Sequence, residues 1–360
     1  MAKNLFTPIT LGKHELKNRI FMAPLTRCRA TPGDHIPSKQ MVQHYADRAS
    51  AGLIIAEATM IKPLTSAFYS EPGVYSTKQL AAWKHVTDAV HAKGGKIFLQ
   101  IWHGGRAAHP DMNDGAEAVG ASPIAINGFK HGPNGKVPFV VPRALSLNEI
   151  ADLVAAFATA ATNAVNTAGF DGVEVHGANG FLIDQFTKTS SNTRTDAYGG
   201  SIENRTRFVR EVLAAVTDAI GGDRVGVRLS PADGYNDMVD SDPEALATYL
   251  ATELNAFGLA YVHIRRHTEG TDHVAIYRKH YKGILVGNQS YSRDEANDAI
   301  AADALDAVAF GTVYVSNPDL VERFEKNAPL NAADVTTYFI QGPEGYNTYP
   351  TLAELDAQHD

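Results

Sequence analysis

The chain has 360 residues, of which 44% are hydrophobic and 20% are charged, a composition typical of a globular protein with one large core. Its formal net charge of −8 and its lack of a Lys- or Arg-rich run exclude a nucleic-acid partner, because phosphate backbones are bound by clustered cations. With Cys28 as the single cysteine, no internal disulfide can form.

Short runs rich in β-branched residues alternate with amphipathic stretches along the chain. The predicted strands are residues 19–25, 53–58, 96–101, 172–176, 224–229, 261–264, 284–286 and 307–310. The predicted helices are residues 38–50, 77–92, 148–168, 202–220, 243–257, 272–281, 293–302 and 318–327. Because parallel strands need crossover helices, this order predicts an α/β fold, a single (βα)8 TIM barrel domain over residues 1–360. An open doubly wound sheet is the alternative, but no G-x-G-x-x-G turn follows the first strand.

Three segments lie outside the strand–helix repeat. Residues 4–18 predict a small hairpin around Gly12 that closes the bottom of the barrel. Residues 104–147, rich in Gly, Pro, Ala and Asn, are too long for an ordinary connection and predict a lid or rim after the third strand. Residues 341–360 are expected to fold back across the surface.

Polar and aromatic residues follow the predicted strands at their C-terminal ends, where barrels of this type carry their active sites. We therefore expect one functional mouth. The strand-end residues are Pro24, Thr26, Glu57, Ala58, Gln100, Trp102, His103, Glu174, His176, Asn179, Arg228, His263, Arg265, Arg266, Gly287, Asn288, Gly311 and Thr312.

A metal-dependent hydrolase is one alternative that these residues leave open. Carboxylates and imidazoles at a barrel mouth can bind divalent cations. The side chains that could do so here are Glu57, His103, Glu174, His176 and His263.

Several strings in chain order resemble the Old Yellow Enzyme family. They are APLTR (23–27), RASAGLIIAEAT (48–59), LQIWHGGR (99–106), HGANG (176–180), SNTRTDAYGGSIENR (191–205), NPDLVERF (317–324) and EGYNTYP (344–350). The strings RCRATPGDHIP (27–37) and AYVHIRR (260–266) are similar to trypanosomatid members described as prostaglandin F2α synthases. The resemblance spans nearly the whole chain. It implies an FMN-dependent NADPH dehydrogenase that reduces enones, quinones or related electrophiles, including prostaglandin endoperoxide.

The resemblance assigns catalytic and cofactor roles to residues at the matching positions. Thr26 would contact the flavin C4 carbonyl, Gln100 the pyrimidine edge, and Arg228 the region of flavin N1 and O2, where reduction places negative charge. His176 and Asn179 would bind one substrate carbonyl or phenolate oxygen above the flavin, because two donors aimed at one oxygen polarise an enone.

Further positions follow from the same resemblance. Aromatic residues expected on the substrate face are Trp102, Phe181, Phe68 and Tyr349. Other residues expected around FMN are Pro24, Ala58, His176, Gly287, Asn288, Gly311 and Thr312. The glycines among them would let backbone N–H groups approach the phosphate.

The chain departs from the family pattern at three positions. Thr312 stands where many relatives carry a phosphate-binding Arg, so FMN affinity would be lower unless Arg293 or another cation substitutes. Phe181 and Phe68 stand where relatives carry Tyr, although Tyr69 is adjacent. Without the usual proton donor, a flavin-binding protein with little turnover is a second alternative.

The sequence also predicts a cellular location and partners. Residues 1–8 lack the basic start and apolar run of a secretory signal, and no apolar stretch of about 18 residues, the length of a membrane span, occurs. We expect a cytoplasmic protein, monomeric or homodimeric, without a membrane partner. Its partners would be a small electrophilic substrate and NAD(P)H.

Overall fold

A closed barrel of parallel strands forms the centre of the protein. The computed structural model describes residues 3–132 and 135–357. Strand β8 pairs with β1, for example Ala309 with Phe21, and this pairing closes the predicted (βα)8 TIM barrel. The strands are β1 Ile20–Met22, β2 Leu53–Met60, β3 Ile97–Trp102, β4 Gly172–Gly177, β5 Val225–Leu229, β6 Tyr261–Arg265, β7 Leu285–Asn288 and β8 Ala307–Phe310.

Strand β1 is shorter than predicted. Ala23 still donates its N–H to Phe310 O at 2.9 Å, but Pro24 has no N–H and cannot continue the ladder. The chain therefore leaves the sheet before Leu25 and turns over the mouth of the barrel.

Each strand is followed by a crossover helix on the outside of the barrel, as predicted. Capping boxes start several of them; Ser76, Ser146 and Ser292 each accept the N–H of the residue three positions later. The helices are α1 Lys39–Asp47, α2 Thr77–Ala92, α3 Leu147–Thr162, α4 Arg207–Ile220, α5 Pro243–Glu253, α6 His273–His280, α7 Arg293–Ala301 and α8 Leu320–Lys326. Shorter helices lie at Leu182–Thr187, Ile202–Arg205, Thr312–Ser316 and Leu352–Asp356.

The N-terminal hairpin closes the bottom of the barrel, as predicted. Its antiparallel strands are Ile9–Leu11 and His14–Leu16, and the turn passes through Gly12 at φ +57°. A Cβ at Gly12 would lie 2.2 Å from the carbonyl oxygen of Asp223, so the close approach requires glycine. The buried hairpin residues pack against Phe21 and other interior side chains at this end.

The long segment after β3 forms a rim beside the mouth. It contains an antiparallel pair, Phe129–Gly132 with Gly135–Pro138, which we name the rim hairpin. A shorter parallel pair joins Val119–Gly120 to Arg143–Ala144. Residues 133 and 134 of the predicted lid lie outside the described residues.

Residues 335–350, named here the C-terminal arm, return to the barrel mouth. The ring of Tyr346 stacks on that of His44 at 3.8 Å, which fixes the arm against α1. The predicted fold-back is seen for residues 341–357, whereas 358–360 lie outside the described residues. Within the described ranges, no helix has the length and apolarity needed to cross a membrane.

Candidate active site

A cavity of about 460 Å³ opens at the C-terminal ends of the barrel strands. This is the mouth at which the strand-end residues were expected to meet. The predicted site residues that line it are Pro24, Thr26, Ala58, Phe68, Gln100, Trp102, His176, Asn179, Phe181, Arg228, Asn288, Gly311 and Thr312.

His176, near the end of β4, is a neutral hydrogen-bond donor to this cavity. Its Nδ1 accepts the backbone N–H of Ala178 at 3.3 Å, so the ring proton of the neutral form is on Nε2. Burial, followed by the charges of Arg228 and His263, holds the pKa of His176 well below its usual value. The side chain therefore donates through Nε2 at neutral pH without carrying a charge.

Asn179 is held from three directions. Its backbone N–H donates to Ser230 Oγ at 2.7 Å, its Nδ2 donates to Asp233 Oδ2 at 2.6 Å, and its carbonyl accepts from Asn236. Asp233 is balanced by an ion pair with Arg265, which also lines the cavity. The backbone of Asn179 is left-handed at φ +57°, which asparagine tolerates better than most residues. One Nδ2 hydrogen remains for a ligand.

An aromatic wall stands beside these two donors. The ring of Phe181 lies 4.4 Å from that of Trp102 and 5.2 Å from that of His176, centroid to centroid. Phe68 stacks on Trp102 at 6.0 Å and on Phe339 at 5.7 Å. The wall is thus apolar on the side where a flat conjugated ligand would contact it.

A buried polar network fixes the side chains that edge the cavity within the barrel. Glu174 accepts Gln100 Nε2 at 2.8 Å through one oxygen and pairs with His263 Nδ1 at 2.8 Å through the other. Burial alone would raise the pKa of Glu174, but His263, Arg228 and Gln100 outweigh burial and the pKa is lowered. Glu174 is therefore a carboxylate that orients the Gln100 amide.

Arg228 presents an unused donor in this region. Its Nη2 donates to Asn288 Oδ1 at 2.7 Å, and Asn288 in turn donates to Ala309 O. The Nε of Arg228 is buried and has no protein partner. Because a buried guanidinium N–H needs an acceptor, this atom points to a ligand oxygen or nitrogen.

The loops after β7 and β8 form the end of the cavity expected to bind phosphate. Gln289 and Ser290, with φ of +84° and +54°, line it together with Gly311 and Thr312. Arg266 fixes the first of these loops by donating to the carbonyls of Gln289 and Ser290 at 2.8 and 2.9 Å.

Two residues considered for this end of the cavity lie outside its lining. Gly287 does not line the cavity, because its α-carbon faces outward; a Cβ there would lie 2.4 Å from Leu305 Cδ1. Arg293 cannot replace the missing phosphate arginine, because it donates to Asn327 Oδ1 at 2.6 Å outside the cavity.

Tyr349, expected on the substrate face, does not line this cavity. Its hydroxyl accepts the backbone N–H of Asp334 at 2.8 Å, and the residue lies outside the cavity lining. Tyr338 and Phe339, earlier in the C-terminal arm, line the cavity instead. The Tyr338 hydroxyl is buried without a hydrogen-bond partner.

Two buried arginines hold the arm in this position. Arg29 donates to the carbonyls of Thr337, Tyr338 and Glu344, all within 3 Å, and Arg27 donates to Tyr338 O and Gly345 O. Neither forms an ion pair with a described carboxylate. The one sequence signal for this role in holding the arm was the pair of arginines in Arg27-Cys28-Arg29, which has no acidic residue beside it.

The side chains considered for a metal site do not converge: Glu174 bonds to His263, whereas Glu57 and His103 have other partners. Glu57 accepts the Tyr45 hydroxyl and the backbone N–H of Arg27, both at 3.2 Å. His103 accepts the N–H of Gly105 at 2.9 Å, and burial lowers its pKa to about 3. In the part of the chain that the structure describes, no three His, Cys, Asp or Glu side chains are grouped to hold a metal ion. The geometry does not favour the hydrolase.

Known proteins resemble this chain over nearly its whole length. Residues 4–331 match the NADH:flavin oxidoreductase / NADH oxidase family. The chain belongs to this family.

Relatives of this NADH:flavin oxidoreductase are similar in both sequence and structure. The chain is 49% identical over 359 residues to a probable FMN-dependent alkene reductase of Leishmania infantum, covering 97% of each chain. The old yellow enzyme from Trypanosoma cruzi matches with a TM-score of 0.94 and 42% identity, over 97% of this chain and 99% of that one. Morphinone reductase in complex with tetrahydroNAD matches with a TM-score of 0.93 and 43% identity, over 99% of each chain.

These matches confirm the resemblance to the Old Yellow Enzyme family. The NADH:flavin oxidoreductase described here is an enzyme that uses FMN and a nicotinamide reductant. The closed barrel is the fold that its solved relatives share.

Proposed function

We propose that the chain reduces alkenes conjugated to a carbonyl group, and that His176 and Asn179 bind the carbonyl oxygen. The observation that carries this proposal is the pair itself: a neutral Nε2–H and an amide N–H facing one cavity. Donors held by the fold stabilise the negative charge that develops on the oxygen during hydride addition, and they need no reorganisation. Quinones and prostaglandin endoperoxide also present oxygen acceptors to such a pair.

We further propose which residues hold FMN. The unpartnered Nε of Arg228 and the Gln100 amide fit the pyrimidine edge, where oxygen and nitrogen atoms accept and donate. Thr26, Pro24 and Ala58 would line the ring. Bound FMN supplies the hydride that the substrate receives at the carbon β to its carbonyl.

The phosphate would lie at the other end of the cavity. Asn288, Gly311 and Thr312 line this end, and the buried Tyr338 hydroxyl adds a further neutral donor. Neutral donors replace the charge of an arginine in this proposal, so each contact is weaker than a charge-assisted one.

Phe181 cannot give a proton to the reduced substrate, because its ring has no hydroxyl. We therefore propose that solvent supplies the proton at the α-carbon. Phe181, Phe68 and Trp102 would instead enclose the substrate and exclude bulk water from one face.

The proposal also includes the domain organisation, the cellular location and the oligomeric state. Residues 1–360 would form a single FMN-binding domain, and the protein would work in the cytoplasm as a monomer or homodimer. The acidic net charge of −8 gives no support to a nucleic-acid partner. The flavin-binding protein with little turnover is not favoured, because the carbonyl-binding pair is intact.

One experiment separates these functions. The purified protein should be yellow, should bleach anaerobically with NADPH, and should recover its colour when cyclohexenone is added. A parallel bleached sample that receives only buffer is the control for reoxidation by residual oxygen, and it should stay bleached. A protein that bleaches but never recovers with enones or quinones would be the flavin-binding protein, and a colourless, chelator-sensitive hydrolase would overturn the proposal.

A further inference from the structure

A second cavity, of about 780 Å³, lies next to the first. The two share Phe68, Phe181, Tyr235 and Phe339 in their walls. The second cavity extends away from His176 and under the rim hairpin, where Ile126, Phe129 and Phe139 line it. It contains none of the residues proposed to hold FMN.

Exposed apolar side chains are concentrated around this second cavity. Eleven large hydrophobic residues are exposed in the described part of the chain, and five of them line it. They come from separate segments and are Tyr69, Phe129, Tyr235, Phe339 and Ile340. Apolar surface gathered in one concave place is typical of a binding site for an apolar ligand.

The polar groups of the second cavity are mostly engaged within the protein. Lys130 donates through Nζ to Ala67 O at 2.9 Å and to Ala107 O, and its ammonium lies 5.4 Å from the centre of the Phe139 ring. Asn236 donates to Asn179 O at 3.0 Å. A buried ammonium that is already bound to two carbonyls is a poor receptor for an anionic end group, so the lining suits an uncharged occupant.

The junction between the cavities is also apolar. Phe68 and Phe181 face each other there with ring centroids 6.4 Å apart, and neither ring carries a hydroxyl. Phe181 also packs against His176, with ring centroids 5.2 Å apart. A chain attached to a substrate bound at His176 would therefore pass between aromatic rings, three phenyl and one phenol, on its way to the second cavity.

We propose that the second cavity binds an uncharged alkyl tail of the alkene substrate. The favoured substrate would be a carbonyl-conjugated alkene with a long unbranched chain, its reacting end at His176 and its tail under the rim hairpin. This inference rests on the proposed function and specifies its substrate class. Burial of each methylene removes apolar surface from water and strengthens binding of the substrate and of the transition state.

The test is a series of methyl ketones, R–CH=CH–CO–CH3, in which R grows from methyl to nonyl. Carbons beyond the first in R barely change the reactivity of the alkene, so differences report binding. We expect kcat/KM to rise by about fourfold for each methylene buried, until the tail fills the cavity. A flat series would overturn the tail site while leaving alkene reduction established.

A binding measurement makes the test independent of turnover. Dissociation constants of 4-alkylphenols, followed by the change in flavin absorbance, should fall along the same chain lengths. If they do not change with the alkyl chain, the tail site is wrong, whether or not any ketone is reduced. If they fall but no ketone is reduced, the tail site stands and the proposed function fails. A 4-alkylphenol with a terminal carboxylate should bind more weakly than its methyl-terminated counterpart, and tighter binding would overturn the uncharged tail.

Two variants locate the site. Ile126→Trp places a large ring in the second cavity, and Phe129→Ser removes an exposed apolar wall residue. Both should lower the ratio of kcat/KM for the nonyl ketone to that for the methyl ketone, the first by at least about tenfold, since several buried methylenes are displaced. Val141→Ser is the matched control, because Val141 is 67% exposed against 69% for Phe129 and lies outside both cavities. Equal ratios in all variants would overturn the placement.

Discussion

The proposed binding of an oxygen ligand depends on the pair of donors at His176 and Asn179. In His176→Ala/Asn179→Ala, a phenolate would lose both partners. A hydrogen bond to a charged group is worth about 1.5 to 3 kcal/mol, so phenol binding should weaken by about 3 to 6 kcal/mol. The loss would be measured by titrating the long-wavelength absorbance of the phenol complex.

A matched control for this double variant is His85→Ala, because His85 is exposed on α2 and does not line the cavity. That variant should bind phenols as the unaltered protein does. If the double variant keeps its FMN and its phenol affinity, the oxygen ligand must bind to another pair.

Phe181 offers a second measurement at the scale of one residue. Its ring lies 5.2 Å from that of His176, so Phe181→Tyr would add a hydroxyl beside the bound substrate. A positioned general acid is worth roughly 10² to 10⁴ in rate, and cyclic enone turnover should rise wherever protonation limits it. Stopped-flow traces would compare this step with the bleaching by NADPH, which needs no such acid and should be unchanged.

Phe68→Tyr serves as the comparison, because it adds the same hydroxyl to the same aromatic wall, at the junction with the second cavity. Equal acceleration of enone turnover, quinone turnover and bleaching by Phe181→Tyr would indicate a change of structure. No change with any enone would indicate that solvent already delivers the proton fast enough.

At the scale of elements, the C-terminal arm depends on Arg29. This side chain is 1% exposed and donates to several arm carbonyls, so Arg29→Ala would leave them buried and unpaired. We expect more than about tenfold faster cleavage of the arm by chymotrypsin, since the loss of one charged hydrogen bond of about 1.5 kcal/mol already exceeds that factor. FMN should dissociate faster too, because Tyr338 and Phe339 line the cavity proposed to hold it.

The control for the arm is Arg293→Ala, which removes a partly exposed arginine that bonds to Asn327 instead. Arg29→Lys should lie between the two, because an ammonium keeps the charge but not the planar set of donors. Unchanged cleavage in Arg29→Ala would mean that Arg27 and the Tyr346 stacking hold the arm without Arg29.

The elements differ in how far sequence alone could predict them. Strands and crossover helices were predictable because each carries its own periodicity and turn signals. A rim after β3 and a fold-back of the C-terminal residues were predicted, but the rim hairpin and the contacts of the C-terminal arm were not, because they depend on residues distant in sequence, as between Arg29 and Glu344. For this reason the sequence did not indicate that Tyr349 lies outside the cavity lining.

Most of the cavity lining followed from the strand ends, and the position of Gly287 outside it could have been predicted. Val286 and Asn288 face the barrel interior, so the alternation of side chains along β7 places Gly287 outside. Partners such as Asp233 could not be anticipated, because the turn that brings Asp233 to Asn179 follows another strand.

At the scale of the whole molecule, buried carboxyl groups make stability depend on pH. Burial raises the pKa of Glu71 to about 8, well above the value expected in the unfolded chain. Between about pH 4.5 and pH 8, Glu71 therefore keeps its proton in the folded protein and has lost it in the unfolded chain. This contribution to stability is fully present below about pH 4.5 and is lost as the pH rises through 8.

Glu71→Gln removes that titration and keeps an oxygen that can accept the N–H of Ala67, which Glu71 now accepts at 2.9 Å. The fall in Tm between pH 6 and pH 8.5 should be smaller in this variant than in the unaltered protein. Glu211→Gln is a suitable control, since Glu211 is partly exposed and bonds to Tyr198. An equal fall in all three proteins would show that Glu71 does not titrate in this range.

The closure of the barrel by β8 against β1 has a consequence for biosynthesis. The cavity takes Thr26 from the beginning of the chain and Tyr338 from near its end. The chain must therefore be synthesised through Tyr338 before the wall of this cavity is complete, and nascent chains that stop before β8 carry an unsealed sheet edge. A cavity that needs both β1 and the C-terminal arm cannot enclose a ligand while β8 is still missing.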